Sequence, residues 1–441
     1  MAARTALRSS ATVSRRQAGS IALGALCVVY FLLATLPAAP GSKLVLATAG
    51  GSPGWLLGPF RFLGLSAANG PLAGPLFYAG LWVSLILYAT VLVRWTDVPR
   101  RFAVGAIIGL HAVFLLAPPL LSQDVFSYIA YARLGVEHGL DPYTHAPLDI
   151  PSDPVFGFAG SKGAESVYGP IFTLLSYLVA PLGVAGAFWV LKVVMALASL
   201  GVVGLVWRAA ERLGRDPVLP AIFVGLNPHL LVHVVSGAHN EAVVVLLTTS
   251  GLLAFVAGRP ATATALATVA AGFKASAALV VPYLALGSRG RFRAAALGAI
   301  GAALGILAVA LLGFGTHALD ALSLLSSNQD RTSRFSFPYK TAQLLGAVLP
   351  GDRLDYRDTV RTLYAVGFAA VAAWTLWRTW RGAGAIAMAG WATLAILVAS
   401  AWLVPWYLLW LLPLAALAGD RRLMWGTVAL SAWMLAIAVP L

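Results

Sequence analysis

Apolar residues run in long stretches along this chain, and the polar ones fall in short clusters between them. A helical membrane span needs about 20 apolar residues. Residues 21–38, 71–93, 102–121, 217–235, 241–257 and 294–312 each approach that length. The turns on one side are marked by arginine: Arg94, Arg100 and Arg101, then Arg208, Arg212 and Arg215, then Arg259, Arg289, Arg291, Arg293, Arg378, Arg381, Arg421 and Arg422. The positive-inside rule makes these turns cytoplasmic and places the N-terminus inside. Two full spans between Tyr168 and Arg208 would put a basic cluster outside. Residues 170–181 are therefore predicted as a helix at the outer interface, followed by one span over 186–207. Arg259 and Arg289 should both be inside as well. The stretch 260–286 is accordingly predicted as two short helices meeting near Gly272-Phe273-Lys274, a break tolerated where it lines a cavity. The expectation is an all-α polytopic membrane protein with about 13 transmembrane segments, forming one unit over 1–441, with large outer loops at 122–185 and 313–356.

Composition strengthens this picture. The chain is 60% hydrophobic and only 10% charged, more apolar than one soluble core of 441 residues requires, so no separate soluble domain fits. A net charge of +14 would suggest nucleic acid in a soluble protein. Here the cations sit in the turns, with no basic stripe interleaved with aromatics, which argues against a nucleic-acid partner. Cys27 is alone inside the first apolar run, so no internal disulfide or thiolate metal cluster can form. The basic N-terminal segment, with Arg15-Arg16, could head a cleaved signal. The length of the run and the spans that follow favour an uncleaved first helix.

Most non-basic polar groups lie in the predicted outer segments. In 121–143, Ser122 can cap a helix and Gly139 can end it. Val125, Ile129, Ala132 and Val136 form an apolar stripe, with Asp124, Tyr128, Tyr131 and His138 on another face, as in an interfacial amphipathic helix. Asp124 falls in the first turn, where the helix dipole favours its ionised form. It could accept a proton from a hydroxyl that attacks as a nucleophile, or serve as a second capping residue in a solvated loop. In 227–241, His229 and His233 have the i, i+4 spacing of a metal-chelating pair. No carboxylate completes a metalloprotease pattern, so no metal is expected. His239, Asn240 and Glu241 could bind sugar hydroxyls or a phosphate, or merely cap the next helix. Lys274 is the one ionisable residue of its apolar run and is costly there. It could stabilise a lipid-linked phosphate as charge grows on it, or snorkel to the interface. Arg331, Arg334 and Lys340 are further phosphate candidates. Trp402, Trp406, Tyr407 and Trp410 read as an interface belt in preference to a sugar platform.

The ordered set QDVFSYIAYARLGVEHGLDPY, VYGP, NPHLLVHVVSGAHNEA, GFKASAALVVP and VPWYLLWLLP resembles the polyprenol-phosphomannose-dependent α-1,6-mannosyltransferases of actinobacteria, GT-C glycosyltransferases. The resemblance covers about 102–413, with 1–101 as added N-terminal helices. It implies a GT-C-like bundle with interfacial helices in the first large extracytoplasmic loop. It also implies transfer of a hexose, mannose above all, from a polyprenyl-phosphate donor to an envelope glycan or glycolipid acceptor at the cell membrane, with inversion. The catalytic acid of the first outer loop maps onto Asp124. Lys274, Arg331 and Arg334 become donor-phosphate contacts, and Tyr128, Tyr131, Tyr168, His239, Asn240 and Glu241 become sugar or acceptor contacts. No cofactor beyond the lipid-linked donor is called for, and the sequence is neutral on a divalent metal. Two departures stand out: the Asp124 loop follows a third span, and Asn240-Glu241 replaces an expected Asn-Asp. A transporter or flippase for a lipid-linked sugar is the competing function. It would place its ionisable groups near the bilayer midplane and often shows internal repeats.

Overall fold

The computed structural model describes residues 2–45, 52–63, 72–319 and 332–438, and among these every regular element is helical. Helices α1 (Ala2–Thr35), α2 (Ala73–Val93) and α3 (Arg100–Leu116) lead to α4 (Asp124–Glu137). Next come α5 (Pro170–Tyr177), α6 (Gly183–Arg212) and α7 (Val218–Gly225), which bends by 61° into a π-helical turn over Leu230–Ser236. Helices α8 (Glu241–Val256) and α9 (Pro260–Phe273) follow, then a 3₁₀ turn (Ala275–Val280), α10 (Val281–Gly287) and α11 (Phe292–Phe314). The chain closes with α12 (Phe337–Val348), α13 (Arg353–Trp380), α14 (Ala385–Ala399), a 3₁₀ turn (Pro405–Trp410), α15 (Leu412–Ala418) and α16 (Arg421–Ala438).

Among the described residues, five helices are long and apolar enough to cross a membrane, or six if the bent pair counts as one. The chain is thus a multi-pass helical membrane protein. The 43 residues Pro170–Arg212 count as a single crossing, as the charge pattern requires, and are interrupted before Gly183, whose φ of +67° suits glycine. The break expected near Lys274 is also present: Lys274 is extended (φ −154°, ψ 119°) between α9 and the 3₁₀ turn. Several other expected spans are shorter than a full crossing. Glu241–Val256 has 16 residues, a rise of about 24 Å against a hydrocarbon core of about 30 Å. Short helices with broken ends persist inside a bundle, where neighbours satisfy the freed backbone groups.

The basic turns gather at one end of the bundle. There Arg100 pairs with Glu211 at 3.7 Å, Arg215 donates to the Leu417 carbonyl at 2.7 Å, and Arg291 donates to the Gly258 carbonyl at 2.8 Å. The helix breaks and the 117–169 segment occupy the opposite end.

One expectation is overturned there. Helix α4 is not a half-wet amphipathic helix: every residue from Val125 through Ala132 is buried, Tyr128 and Tyr131 included. The cause is the segment 139–169, which folds back over α4. Asp153 pins it, accepting from Arg133 Nε at 2.9 Å and pairing with His138 Nε2 at 2.8 Å, while its own Oδ1 accepts the Val155 N–H at 2.9 Å. Before α4, the Pro118-Pro119 turn is fixed from the other side. Ser236 donates to the Pro118 carbonyl at 2.6 Å, and Lys192, fully buried within α6, donates to the Ala117 carbonyl. Lys192 has no counterpart in the sequence reading. Its amine sits where α3 ends with carbonyls that lack helical partners, so the side chain closes a helix terminus.

Burial alone would raise the Asp153 carboxyl, but its bonds from Arg133, His138 and the Val155 N–H outweigh that and hold it below the ordinary carboxylate value. A depressed value means that the stabilisation is present above the ordinary range and is lost as pH falls through the lowered one. Asp153→Asn is expected to cost about 2 kcal/mol, the scale of hydrogen bonds to a charged group, and to flatten the acid side of the thermal-stability profile in detergent. An unchanged profile would remove Asp153 as the anchor.

Candidate active site

Four chain interruptions meet at the end opposite the basic turns: the start of α4, the start of α8, the Lys274 break and the 3₁₀ turn at Pro405–Trp410. Two of them put a carboxylate in the first turn of a helix, Asp124 in α4 and Glu241 in α8, where the dipole favours negative charge. The Asp124 N–H is capped by Ser122 Oγ at 3.1 Å, as the sequence predicts. Just before each of these helices lies a residue in the left-handed region: Leu121 at φ 59° and Ala238 at φ 55°, the two non-glycine cases among the described residues. Each costs about 1–3 kcal/mol and persists only where the surroundings over-determine it. Both sit at the site.

The polar cluster itself is compact. His239 Nδ1 lies 4.0 Å from Asp124 Oδ2, and Lys274 is ion-paired with Glu241. The Asn240 N–H donates to the Tyr128 hydroxyl at 3.3 Å, and Tyr128 meets Tyr168 edge-on at 4.9 Å. Glu241 and His239 are fully buried, whereas Asp124 keeps 35% of its side chain accessible. Of the two first-turn carboxylates, Asp124 is therefore the open one. Close packing around it raises the Asp124 carboxyl above its ordinary value; His239 and Lys274 pull it down and Glu241 pushes it up. His239, Asn240 and one oxygen of Glu241 retain side-chain atoms with no hydrogen-bond partner among the described residues. Buried polar atoms of this kind are rare in folded proteins and concentrate at working sites.

Aromatic rings form the rest of the wall. Lys274 Nζ lies over Tyr407 at 4.7 Å and Trp410 at 5.7 Å, while Trp406 stacks on His239 at 3.9 Å. Three of the four aromatics expected to form an interface belt thus face the cluster, because the 3₁₀ turn after Pro405 directs consecutive side chains inward. Trp402, at 37% exposure, is the one left at the surface. The Tyr168-Gly169-Pro170 corner docks on the Lys274 break through the Gly169 N–H, which donates to the Phe273 carbonyl at 2.9 Å. A Cβ at Gly169 would strike the Gly272 carbonyl, so only glycine fits.

Of the residues singled out from sequence, Asp124, Tyr128, Tyr168, His239, Asn240, Glu241 and Lys274 come together. Tyr131 sits at their edge: one turn further along α4, its ring lies 6.1 Å from that of Tyr168, and its hydroxyl donates to the Ala164 carbonyl at 2.9 Å and supports the folded-back segment. His138 is likewise taken by Asp153. Lys340 bonds Gln343 on α12 at 3.1 Å, and Arg331 lies outside the described residues. Arg334 opens on a neighbouring cavity together with Lys43, His229, His233 and Trp406. Lys274 is not a lone cation, since Glu241 compensates it.

Comparison with known proteins gives the family of the chain. The family described as "Alpha-(1->6)-mannopyranosyltransferase, N-terminal domain" matches residues 32–289, and the "MptB C-terminal domain" matches 342–441. The alpha-(1->6)-mannopyranosyltransferase A of Mycobacterium tuberculosis is 29% identical over 412 residues, covering 82% of this chain and 77% of that protein. The protein of the same name from Corynebacterium glutamicum is 30% identical over 178 residues, 38% of this chain and 35% of that protein. The alpha-(1->6)-mannopyranosyltransferase B of the same organism is 27% identical over 142 residues, 30% of this chain and 23% of that protein. No solved structure matches the chain.

Removing one partner of a buried ion pair leaves the other charge uncompensated, at a cost of about 3 kcal/mol. Lys274→Met should therefore lower thermal stability markedly, and the double variant with Glu241→Leu should recover most of the loss. Equal stability of the single and double variants would show that the pair is not coupled.

Proposed function

The chain belongs to the alpha-(1->6)-mannopyranosyltransferase family, and on that premise we propose that it moves mannose from a polyprenyl-phosphate-linked donor to a glycan or glycolipid acceptor, with inversion. The observation that carries this reading is the half-open Asp124 carboxylate facing a buried His239, beside a cation held by Glu241 and roofed by aromatic rings. The position of the cluster supports an extracytoplasmic site, since the arginine-rich turns lie at the other end.

In the proposed reaction the acceptor hydroxyl oxygen attacks the anomeric carbon and passes its proton to Asp124. The bond from that carbon to the phosphate oxygen breaks as the new glycosidic bond forms. The departing prenyl phosphate gains one negative charge, and Asp124 ends protonated. Lys274 is the cation best placed to meet the growing charge, at a site shielded from water where such an interaction is strongest. Glu241 fixes the ammonium, and His239 orients the Asp124 carboxylate. Trp406, Tyr407 and Trp410 offer faces for sugar rings and for the cation. The gathering of the ionisable groups at one end, away from a midplane path, favours transfer over transport.

Labelled mannose should pass from polyprenyl phosphomannose to an oligomannoside when the purified protein is supplied with both. Asp124→Asn is expected to lower kcat by about 10²–10⁴-fold while donor binding persists. Because the carboxyl is raised and must be ionised to act as base, wild-type activity should fall on the acid side at a pH above the ordinary carboxylate range. Equal rates in wild type and variant would remove Asp124 as the base.

A further inference from the structure

Two cavities of similar size lie among the described residues. The one at the basic end, 510 Å³, has its polar groups satisfied: Arg215 donates to Leu417, Asp216 caps Val218 and Asp420 accepts from Trp391. The other, 480 Å³, adjoins the Asp124 cluster and differs in this respect. Lys43 and Arg334 stand at its exposed side, Tyr78 forms part of its wall, and His229, His233 and Trp406 line its depth.

His229 and His233 are at least nine-tenths buried, at 2% and 5% exposure, and the Nδ1 of each lacks a hydrogen-bond partner. The π-helical turn over Leu230–Ser236 and its entry bring the two imidazoles into ring-on-ring contact at 5.4 Å. π-Helical turns recur at functional sites because they re-aim side chains that a regular helix would bury elsewhere. Trp406 lines the cavity and also stacks on His239, which lies 4.0 Å from Asp124. A ligand in this cavity is therefore linked to the Asp124 carboxylate through the stacked rings of Trp406 and His239, and Leu121, three residues before Asp124, also lines the cavity.

We propose that this cavity is the acceptor-saccharide subsite: a sugar unit of the acceptor packs against Trp406, with its hydroxyls bonded to the imidazoles of His229 and His233. The assignment rests on the transferase reading of the Asp124 cluster and adds to it the side from which the acceptor enters. Imidazole nitrogens in the depth and an indole wall form the face-plus-hydrogen-bond set that a hexose requires. A phosphate would need its cations there instead, and they stand at the mouth. The volume lies within the roughly 300–1,000 Å³ typical of small-ligand sites.

The probe is an α-1,6-linked mannotriose, with binding measured by calorimetry on the full chain in nanodiscs without donor. Wild type should bind it. His233→Phe, close in shape but without ring nitrogens, and Arg334→Ala, at the exposed mouth, should each weaken binding by about tenfold, the scale of one or two lost hydrogen bonds. In turnover, the acceptor KM should rise by a similar factor while the donor KM stays within about twofold, which also confirms that each variant is folded. No binding by wild type, unchanged binding in both variants, or competitive displacement of the trisaccharide by polyprenyl phosphate would overturn the assignment; the last would make the cavity a lipid-phosphate site. If transfer is absent but histidine-dependent mannotriose binding persists, the transferase reading fails and the saccharide site stands. If transfer occurs and His233→Phe leaves the acceptor KM unchanged, the saccharide site alone fails.

Discussion

The buried pair between Glu241 and Lys274 is the contact on which the site end of this molecule depends. A lone ammonium or carboxylate at that depth would be prohibitively expensive, so each exists only because the other is beside it. Their meeting dictates backbone geometry. Helix α8 must begin at Glu241, and the chain must leave helical geometry at Lys274, where it is extended, for the ammonium to turn toward the carboxylate. The Gly169 corner then closes on the break by a direct backbone bond to Phe273. Tyr168 is thereby placed beside Tyr128, and Tyr128 beside Asn240. One charge pair, made possible by one interrupted helix, sets the positions of most of the side chains that surround Asp124.

The strain at Leu121 and Ala238 follows the same pattern. Each precedes a helix start that carries a carboxylate, and backbone bonds hold the chain there, from a distant segment at Leu121 and within the turn after Ala238. The Leu121 N–H donates to the Leu44 carbonyl at 3.0 Å, and the His239 N–H reaches back to Val234 at 3.1 Å. The π-helical turn between α7 and α8 contributes His233 to the lining of the neighbouring cavity and leads into His239 of the Asp124 cluster. Regular structure carries the membrane-crossing part of the molecule, and departures from it carry the polar chemistry.

Much of this was legible because lipid leaves few options. Charges must return to one side, so the arginine clusters alone called for a single crossing between Tyr168 and Arg208 and a break near Lys274; Pro170–Arg212 forms one candidate span, and the chain is extended at Lys274. The cap of Ser122 on α4 and the first-turn acids could be read from local rules. The burial of α4 could not, since its two stripes look amphipathic until the 139–169 segment folds over them through Asp153, a contact 20 residues away from Arg133. The inward turn of Trp406, Tyr407 and Trp410 was equally hidden, because an aromatic run near a membrane surface has the same composition whether it faces lipid or a site. Lys192 escaped notice because its partner is a carbonyl, and a backbone acceptor leaves no mark in a sequence.

The clamps on the Pro118-Pro119 turn bear on how the protein is made. Its holders, Lys192 and Ser236, lie 75 and 118 residues further along the chain than the carbonyls they grip. Tyr30 of α1 waits for Leu226, 196 residues downstream, and His229 waits for Ser431. While the ribosome feeds helices into the bilayer one after another, the segment bearing Asp124 emerges early and has nothing to hold it. Its final shape becomes available only when α6, the π-helical turn and at last α16 have been inserted. Nascent or truncated chains therefore carry Asp124 without the contacts that fix the turn before it.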